Sequence, residues 1–530
     1  MKTKKEQASD SKKFLPQNIK LDRRTILKTL GGLPILGVFG YGVLKNTSYK
    51  REKEEQVIRE LGLENIHVPK ANPKQSGKSG DKLRLGFIGF GARANALSRG
   101  LGFMHPAFAE DRQKNGTLED YIAQEDLNVD IIGICDVFDL HAQEGLETAK
   151  NGLRVNGKTG SDYPVKRYRT YQELLDDDSI DAVVIATPDH HHAKISTEAI
   201  KAGKHVYCEK SIALSEDELN ELYKTVKNSD RVFQLGHQIT QNVIFQQAKE
   251  IVKKNILGKI TLVETTTNRN SASGAWIRHL DRSGKPKPGS LKDIDRDQWL
   301  GDKPKVPFSV DRYYNWTKFF DYDFGMLGQL FSHEYDAVNQ LLRIGIPHSA
   351  VASGGIYYWK DNREIPDSLH AVFEYPEKEL SLIYSANLAS SRQRGRVFMG
   401  HDASMELGGS LSITADKNST RYKQQIKDGV IDTNGPMVNV SPGSGEIDAV
   451  SSATEKYYTS RGLSSTVIKG RNVDLVHLHL KDWIDCIRNG NEPSCNIDMG
   501  FEEGITILMA QKAYIEKRRV EWDPVKRKIV

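Results

Sequence analysis

The segment Lys82–Ala96, KLRLGFIGFGARANA, constrains the fold more than any other stretch of the chain. Its apolar positions Leu83, Leu85, Phe87 and Ile88 read as a buried strand. Gly89-x-Gly91-x-x-Ala94 follows at once and leads into helix-compatible sequence. The first glycine permits a tight turn, and the second lets a ligand approach the backbone. The first helical turn then presents N–H groups and a positive dipole end that suit a pyrophosphate. Arg93 lies in the same turn. The required order of strand, turn and helix points to nucleotide binding. A plain glycine turn stays open as the alternative in a chain with 44 glycines.

A second strand, Ile131–Asp136 (IIGICD), ends in an acid. A carboxylate there accepts hydrogen bonds from adenosine ribose hydroxyls and repels a 2′-phosphate, which favours NAD over NADP. The alternative is that Asp136 caps a turn. Asp136 lies well beyond the usual ~20 residues after the glycine loop. The polar segment from about His105 to Asn128 is therefore predicted to be an insertion.

Asp181–Ser211 reads DAVVIATPDHHHAKISTEAIKAGKHVYCEKS. An apolar run ends at Thr187-Pro188, a helical pattern follows, and a second apolar run ends at Glu209-Lys210. Two parallel strands joined by a helix put both strand ends on one sheet edge, where open α/β sheets bind ligands. An ammonium at Lys210 can hydrogen-bond an alcohol or carbonyl oxygen.

The 530 residues allow two or three domains. Lys+Arg 75 against Asp+Glu 70 is a mild balance, without a basic block interleaved with aromatics, so nucleic acid is not an expected partner. The four cysteines form no Cys-x-x-Cys pair or zinc pattern, and no metal is expected. Cys135 and Cys208 read as small core residues. Residues 1–48 read as a twin-arginine export signal or anchor: Arg23-Arg24 precede a short apolar run, Thr29–Leu44. That run is shorter than the ~20 residues of a membrane span. The expectation is a periplasmic or exported protein that meets the membrane only through this segment.

A charged linker at 49–81 leads to a nucleotide-binding domain at 82–212, with Val232–Leu235 extending its sheet. Residues 213–530 have another rhythm. Strands are predicted at Ile260–Thr267, Ala350–Tyr358, Ser368–Tyr375, Glu379–Asn387, Ser404–Leu407 and Leu411–Ala415, and their alternation suggests a large, mostly antiparallel sheet. Helices are predicted at Ser215–Ser229, Asn242–Asn255, Met326–Arg343, Asp474–Asn489 and Gly500–Lys517. Asp416–Leu463 reads as a surface excursion. The fold class is α/β: an N-terminal doubly wound parallel sheet, then an α+β domain with a large open sheet.

Taken in order, these motifs resemble the Gfo/Idh/MocA oxidoreductases, in the sub-group with export signals. The matches are Gly89-Phe90-Gly91 with Arg93, Asp136, Thr187-Pro188-Asp189 with His190-His191-His192, Ala202–Val206, Glu209-Lys210, Trp299-Leu300-Gly301, His333-x-x-Asp336, Ile365-Pro366-Asp367, Cys486-Ile487-Arg488 and Trp522-Asp523-Pro524. The likeness runs from about Leu83 to Pro524. It implies a Rossmann domain, an open sheet that packs on a neighbouring subunit in a dimer or tetramer, bound NAD or NADP, and a sugar or polyol substrate. It places Lys210 on the reacting hydroxyl, makes His333 the acid/base group, and sets His192 near the nicotinamide.

Imidazole titrates near neutrality and can take and return the hydroxyl proton. An ammonium stabilises negative charge developing on the oxygen. Asp336, one turn after His333, is open between orienting that imidazole and a structural hydrogen bond. Arg312, Tyr314 and Trp316 lie in an aromatic and polar stretch that suits a saccharide, or else packs as core.

Two positions depart from the family pattern. Gln329 stands where relatives commonly carry an aspartate four residues before the histidine, and it is read as a sugar hydrogen-bonding residue. Glu209-Lys210-Ser211 stands in place of Glu-Lys-Pro. The leading expectation is an exported oxidoreductase acting on a sugar with tightly bound NAD, because free NAD is not expected outside the cytoplasm. The alternatives are a glycoside hydrolase or lyase working by transient oxidation, and a non-catalytic sugar-binding homologue.

Overall fold

The computed structural model describes residues 52, 55–63, 82–154, 162–271, 292–307, 309–440, 465–468 and 471–530. The chain divides into Met1–Glu60 and Leu61–Val530. In the first unit residues 55–60 are helical, and the export signal lies outside the described residues. Among the described residues no helix is long and apolar enough to cross a membrane.

In the second unit, strands β1 (Leu83–Ile88), β2 (Val129–Cys135), β3 (Lys166–Tyr168), β4 (Ala182–Ile185), β5 (His205–Cys208) and β6 (Phe233–Leu235) form a six-stranded sheet in the order β3-β2-β1-β4-β5-β6. Every pairing in it is parallel. β2 and β4 are buried along their whole length, as expected of strands covered on both faces. Because all six strands are parallel, the C-terminal ends of β1, β2, β4 and β5 lie on one edge, and the reversal of strand order between β1 and β4 opens a crevice there. The expected insertion takes the form of two short helices, Pro106–Lys114 and Leu118–Ile122.

Helix Leu475–Asn489, far along the chain, packs on the first sheet. Its Leu480 and Trp483 join the core built on Leu85, Phe87, Ile134 and Tyr207. With β6 also part of the sheet, the nucleotide-binding layer extends past residue 212 and draws on the C-terminal end of the chain.

The remaining strands are β7 (Ile260–Asn268), β8 (Ser349–Gly355), β9 (Ser368–Tyr375), β10 (Leu380–Asn387), β11 (Arg396–Gly400), β12 (Ala403–Leu407), β13 (Leu411–Ala415), β14 (Val438–Val440), the hairpin β15 (Ser465–Ile468) with β16 (Arg471–Asp474), β17 (Val520–Asp523) and β18 (Lys528–Ile529). Ten of them form a second sheet, β14-β13-β12-β11-β7-β10-β9-β8-β17-β18. It is antiparallel except where β7 runs beside β10. One face is covered by helices, and Phe331 stacks flat on Phe373 with centroids 4.9 Å apart.

The predicted helix Met326–Arg343 is in two parts, a π-helical turn at Leu327–Phe331 and an α-helix at Ser332–Leu342. Wide turns of this kind occur often at functional sites. The first described part of the expected surface excursion holds a short helix, Lys423–Lys427, and β14; residues 441–464 lie outside the described residues. All four cysteines are buried thiols.

Candidate active site

The glycine turn has the shape that a dinucleotide needs. Gly89 adopts φ +81, and a Cβ there would lie 2.9 Å from the backbone of Ala186 and Thr187. Glycine is therefore required at that position on two counts. A Cβ at Gly91 would meet nothing within 4 Å, so the backbone is open to an incoming group. Gly91 caps helix Ala92–Leu101 without any side-chain capping bond, which leaves the first turn, with Arg93 and Ala94, to offer its N–H groups.

Asp136 is buried at the end of β2. Its carboxylate accepts the Phe90 N–H at 2.5 Å and the Phe138 N–H at 2.8 Å. It thereby holds the glycine turn closed from behind. A carboxylate has about four acceptor positions, so this structural role is compatible with a ribose contact. These residues fit a dinucleotide.

The second edge turn, Thr187-Pro188, is tied to the third by His192. Its Nε2 lies 2.9 Å from the Thr187 carbonyl and its Nδ1 2.7 Å from the Ser211 carbonyl. His190 and His191 both direct Nε2 to the Trp299 carbonyl at 2.8 Å. Burial holds both imidazoles below their usual range, His191 at about 4. They are neutral donors to one carbonyl. Among the described residues no cluster suits a metal ion.

Glu209 is buried, and its Oε1 receives Arg93 Nε at 2.7 Å and Gln238 Nε2 at 3.1 Å. Burial opposes its ionisation, but Arg93 and Lys210 outweigh that and hold its carboxyl below the usual range. The backbone makes room for it: a Cβ at Gly236 would lie 2.6 Å from Glu209 Oε1.

Lys210 Nζ donates to Gln329 Oε1 at 2.6 Å. Gln329 Nε2 in turn donates to Asp189 Oδ2 at 2.8 Å and to Asp323 Oδ1 at 3.1 Å. Burial, then the neighbouring Asp189, push the Asp323 carboxyl well above its usual range. Two buried carboxyls thus meet behind Gln329, and Asp323 is the one driven toward its protonated form. An amide stands on the helix where the family resemblance implies an acid, and carboxyls from two other segments stand behind it. Asp189 carries a sequence signal only as part of the Thr187-Pro188-Asp189 motif, and Asp323 carries none beyond an acid in a turn.

His333, one helical turn after Gln329, is buried, with Nδ1 3.1 Å from Nδ1 of His237. Burial, then the charges of His237, Lys210 and Arg93, hold it well below the usual imidazole range, so it is neutral at neutral pH. Asp336 directs Oδ1 toward Gln340 Nε2 at 3.4 Å and Cys495 Sγ at 3.5 Å, which favours the structural role over orienting His333.

Of the expected saccharide residues, Tyr314 and Trp316 are buried in an aromatic cluster with Phe138, Trp299, Tyr313, Phe319 and Tyr322. Arg312 stacks over Phe319 at 4.1 Å and donates to Asp321 and Tyr322. The cluster rests on Phe138, two residues past Asp136, and on His190, whose ring lies 5.0 Å from Tyr322. These residues form a wall beside the nucleotide edge.

Residues 100–237 match the oxidoreductase family model of an NAD-binding Rossmann fold, and residues 249–522 match the family's C-terminal alpha/beta domain. The glycine turn lies just upstream of the first matched range. Levoglucosan dehydrogenase of Pseudarthrobacter phenanthrenivorans is 29% identical over 189 residues, 35% of this chain and 41% of that protein. The 2,7-anhydro-N-acetylneuraminate hydratase of Escherichia coli is 29% identical over 137 residues, 25% of this chain and 37% of that one. The chain spans about two fifths of the length of the curated relatives it matches. In three dimensions it is similar to a levoglucosan dehydrogenase solved with NADH and L-sorbose, with a TM-score of 0.55 at 15% identity, covering 83% of this chain and 99% of that one. At that identity the likeness establishes the fold.

Proposed function

Because the chain belongs to the Gfo/Idh/MocA oxidoreductase family, we propose that it oxidises and reduces a carbinol carbon of a sugar or sugar derivative with tightly bound NAD. The observation that carries this reading is the convergence of Lys210, Gln329 and His333 at the sheet edge beside the glycine turn. Lys210 is held at 2.6 Å by Gln329, and His333 follows one helical turn later as a neutral imidazole.

Bound NAD supplies the two-electron hydride acceptor. Gly89, Gly91 and the first turn with Arg93 and Ala94 would hold its pyrophosphate, Asp136 would receive the ribose, and Thr187, Pro188, His192 and Glu209 would line the nicotinamide side. Lys210 hydrogen-bonds the substrate oxygen and lowers the cost of its negative charge. His333 takes the hydroxyl proton in oxidation and returns it in reduction. Gln329 is buried and fixes Lys210, acting on the sugar through that ammonium.

The sugar class is supported by the names of the relatives, levoglucosan dehydrogenase and inositol 2-dehydrogenase/D-chiro-inositol 3-dehydrogenase. A redox-neutral cycle is the second reading, favoured by the relative named as a hydratase, an activity without net oxidation. One experiment separates them. The purified protein is mixed with levoglucosan, myo-inositol and simple glycosides while reduced-nicotinamide absorbance and products are followed. Growth of that absorbance supports net oxidation; products without it support the cycle. Absence of bound or bindable nucleotide would sink both.

Export through the twin-arginine route rests on Arg23-Arg24 and the apolar run after them. Replacing both arginines with lysine should retain the protein in the cytoplasm in cell fractionation. A homo-oligomer, dimer or tetramer, is supported by the row Val351, Val372 and Ile383, which lie side by side on the face of the second sheet opposite Phe373 and Leu382. Val351 is 42% exposed. Light scattering reads the mass, and a monomer would refute this.

A further inference from the structure

His333 does not stand alone. Its Nδ1 faces His237 Nδ1 at 3.1 Å, with the rings perpendicular at 89° and centroids 5.0 Å apart. The other edge of His237, Nε2, lies 2.7 Å from Glu503 Oε2. His237 and Glu503 side chains are each 1% exposed. Three elements supply this row. His237 follows β6, Glu503 comes from helix Ile497–Glu516, and His333 from helix Ser332–Leu342. The His237 backbone is held as well, its N–H donating to His479 Nε2 at 3.1 Å.

Glu503 is an acid on the buried side of its helix, with Met499, Gly500, Thr506 and Ile507 one turn away on the same side. Burying a carboxyl in such a place is costly unless it has a partner, and His237 is the partner. Burial opposes protonation of His237, yet Glu503 and Asp336 outweigh it and raise its pKa. Burial raises Glu503 too.

We infer that Glu503 and His237 are positioning residues that form a proton relay with His333, setting its tautomer and storing the proton that it takes from the substrate hydroxyl. This rests on His333 being the acid/base group of the proposed reaction. Two arrangements differ by one proton. In the first, Glu503 is a carboxylate, His237 donates from Nε2 to it, and His333 donates from Nδ1 to His237 Nδ1. His333 Nε2 then carries a lone pair and acts as base.

When the substrate hydroxyl gives its proton to His333 Nε2, the His333 Nδ1 proton crosses to His237 Nδ1. Bound NAD would take the hydride with its electron pair, so that the substrate loses two electrons and two hydrogens in all. The positive charge comes to rest on His237 beside Glu503, and His333 is left with Nε2–H. That second arrangement is the acid needed for reduction. The Nδ1 to Nδ1 contact is what permits the switch, since exactly one of those nitrogens is protonated in each state.

Other charges face the row. Arg93, Lys210 and Arg269 act on His333, Asp336 and Glu209 act on His237, and His479 is kept neutral by burial. Arg93 and Glu209 are paired with each other, so Glu503 is the anion in direct contact with the relay.

The test uses the full-length protein labelled with ¹⁵N-histidine, with His237→Gln and His333→Gln to assign signals. Wild type at alkaline pH should show Nδ1-protonated His333 and Nε2-protonated His237. An Nε2-protonated His333 under those conditions overturns the relay, whatever the variants do. In Glu503→Gln the shared titration should move down by about one to three pH units, the usual effect of losing an opposite charge, and Glu503→Asp should restore it.

For any sugar that supports turnover, the acid limb of the kcat profile should move with that titration while KM changes by less than about twofold. A limb that stays in place in both Glu503→Gln and His237→Gln overturns the proposal. If no sugar is oxidised, the redox reading fails by itself, and the tautomer measurement still decides the relay.

Discussion

Lys210 and Gln329, 119 positions apart in the chain, meet at 2.6 Å, and behind the amide lie the carboxyls of Asp189 and Asp323. The amide has two ends with opposite roles. Its oxygen accepts from the lysine while its nitrogen donates to both acids, so a single side chain separates a cation from a pair of carboxyls. A carboxylate at 329 would bring three acids together in a buried space.

Lys210→Met keeps the length of the side chain and removes its donor. Turnover on a sugar should fall by at least about 100-fold, the scale of losing one donor to a developing oxyanion. NADH affinity, read by nicotinamide fluorescence, should change by less than about threefold. Retained turnover would refute the assigned role of Lys210.

Gln329→Asp restores the residue type common in relatives, yet it should not raise activity. The introduced carboxyl would face Asp189 and Asp323, and like charges in a buried site raise pKa values and destabilise. The variant should be less stable than wild type at pH 8 by about 1–3 kcal/mol, with a smaller deficit at pH 5, where the carboxyls can hold more protons. Calorimetry at the two pH values checks this.

Asp323→Asn tests the raised Asp323 carboxyl. A carboxyl whose pKa is raised in the folded state binds more protons folded than unfolded between those two pKa values, so folding stability falls as pH rises through that window. The window opens near the ordinary carboxyl value and extends up to the raised one. The amide cannot titrate and still offers N–H to Asp189. The variant should therefore lose less stability than wild type between pH 4 and 8, seen as a flatter dependence of melting temperature on pH. A parallel dependence in both proteins would argue against the raised carboxyl.

Gly89→Ala and Gly91→Ala should separate folding from binding. The first forces a side chain into φ +81 and to 2.9 Å from the Ala186 carbonyl group, which should cost about 1–3 kcal/mol in urea unfolding. The second sits at φ −78, ψ −161, open to any residue, with nothing within 4 Å. It should leave stability within about 0.5 kcal/mol while weakening NADH by about tenfold, as expected where a methyl meets the ligand rather than the protein. Equal effects on stability would contradict the open backbone at Gly91.

Much of this molecule is legible along the chain because its signals are local. β1 runs from Leu83 to Ile88, the span that its apolar pattern marks, and Ser368–Tyr375 and Leu411–Ala415 likewise keep their predicted bounds. Short strands such as Lys166–Tyr168 and Val438–Val440 escape, because three residues carry too little alternation to register. Lys210 and His333 are legible through motif order.

His237, Glu503 and Asp323 are not, because each is an isolated polar residue in its own segment, and their meaning lies in what faces them from elsewhere. The sequence alone determines the α/β class, the glycine turn with its acid at Asp136, and the lysine after a buried strand, all of which depend on neighbours within a few tens of residues. Only the tertiary structure decides that Tyr314 and Trp316 pack in a wall, that Gln329 stands between Lys210 and two acids, and that Glu503 reaches His333 through His237. Hydrogen bonds and burial act over a few ångströms in space, and the chain brings these groups together across separations that no local pattern records.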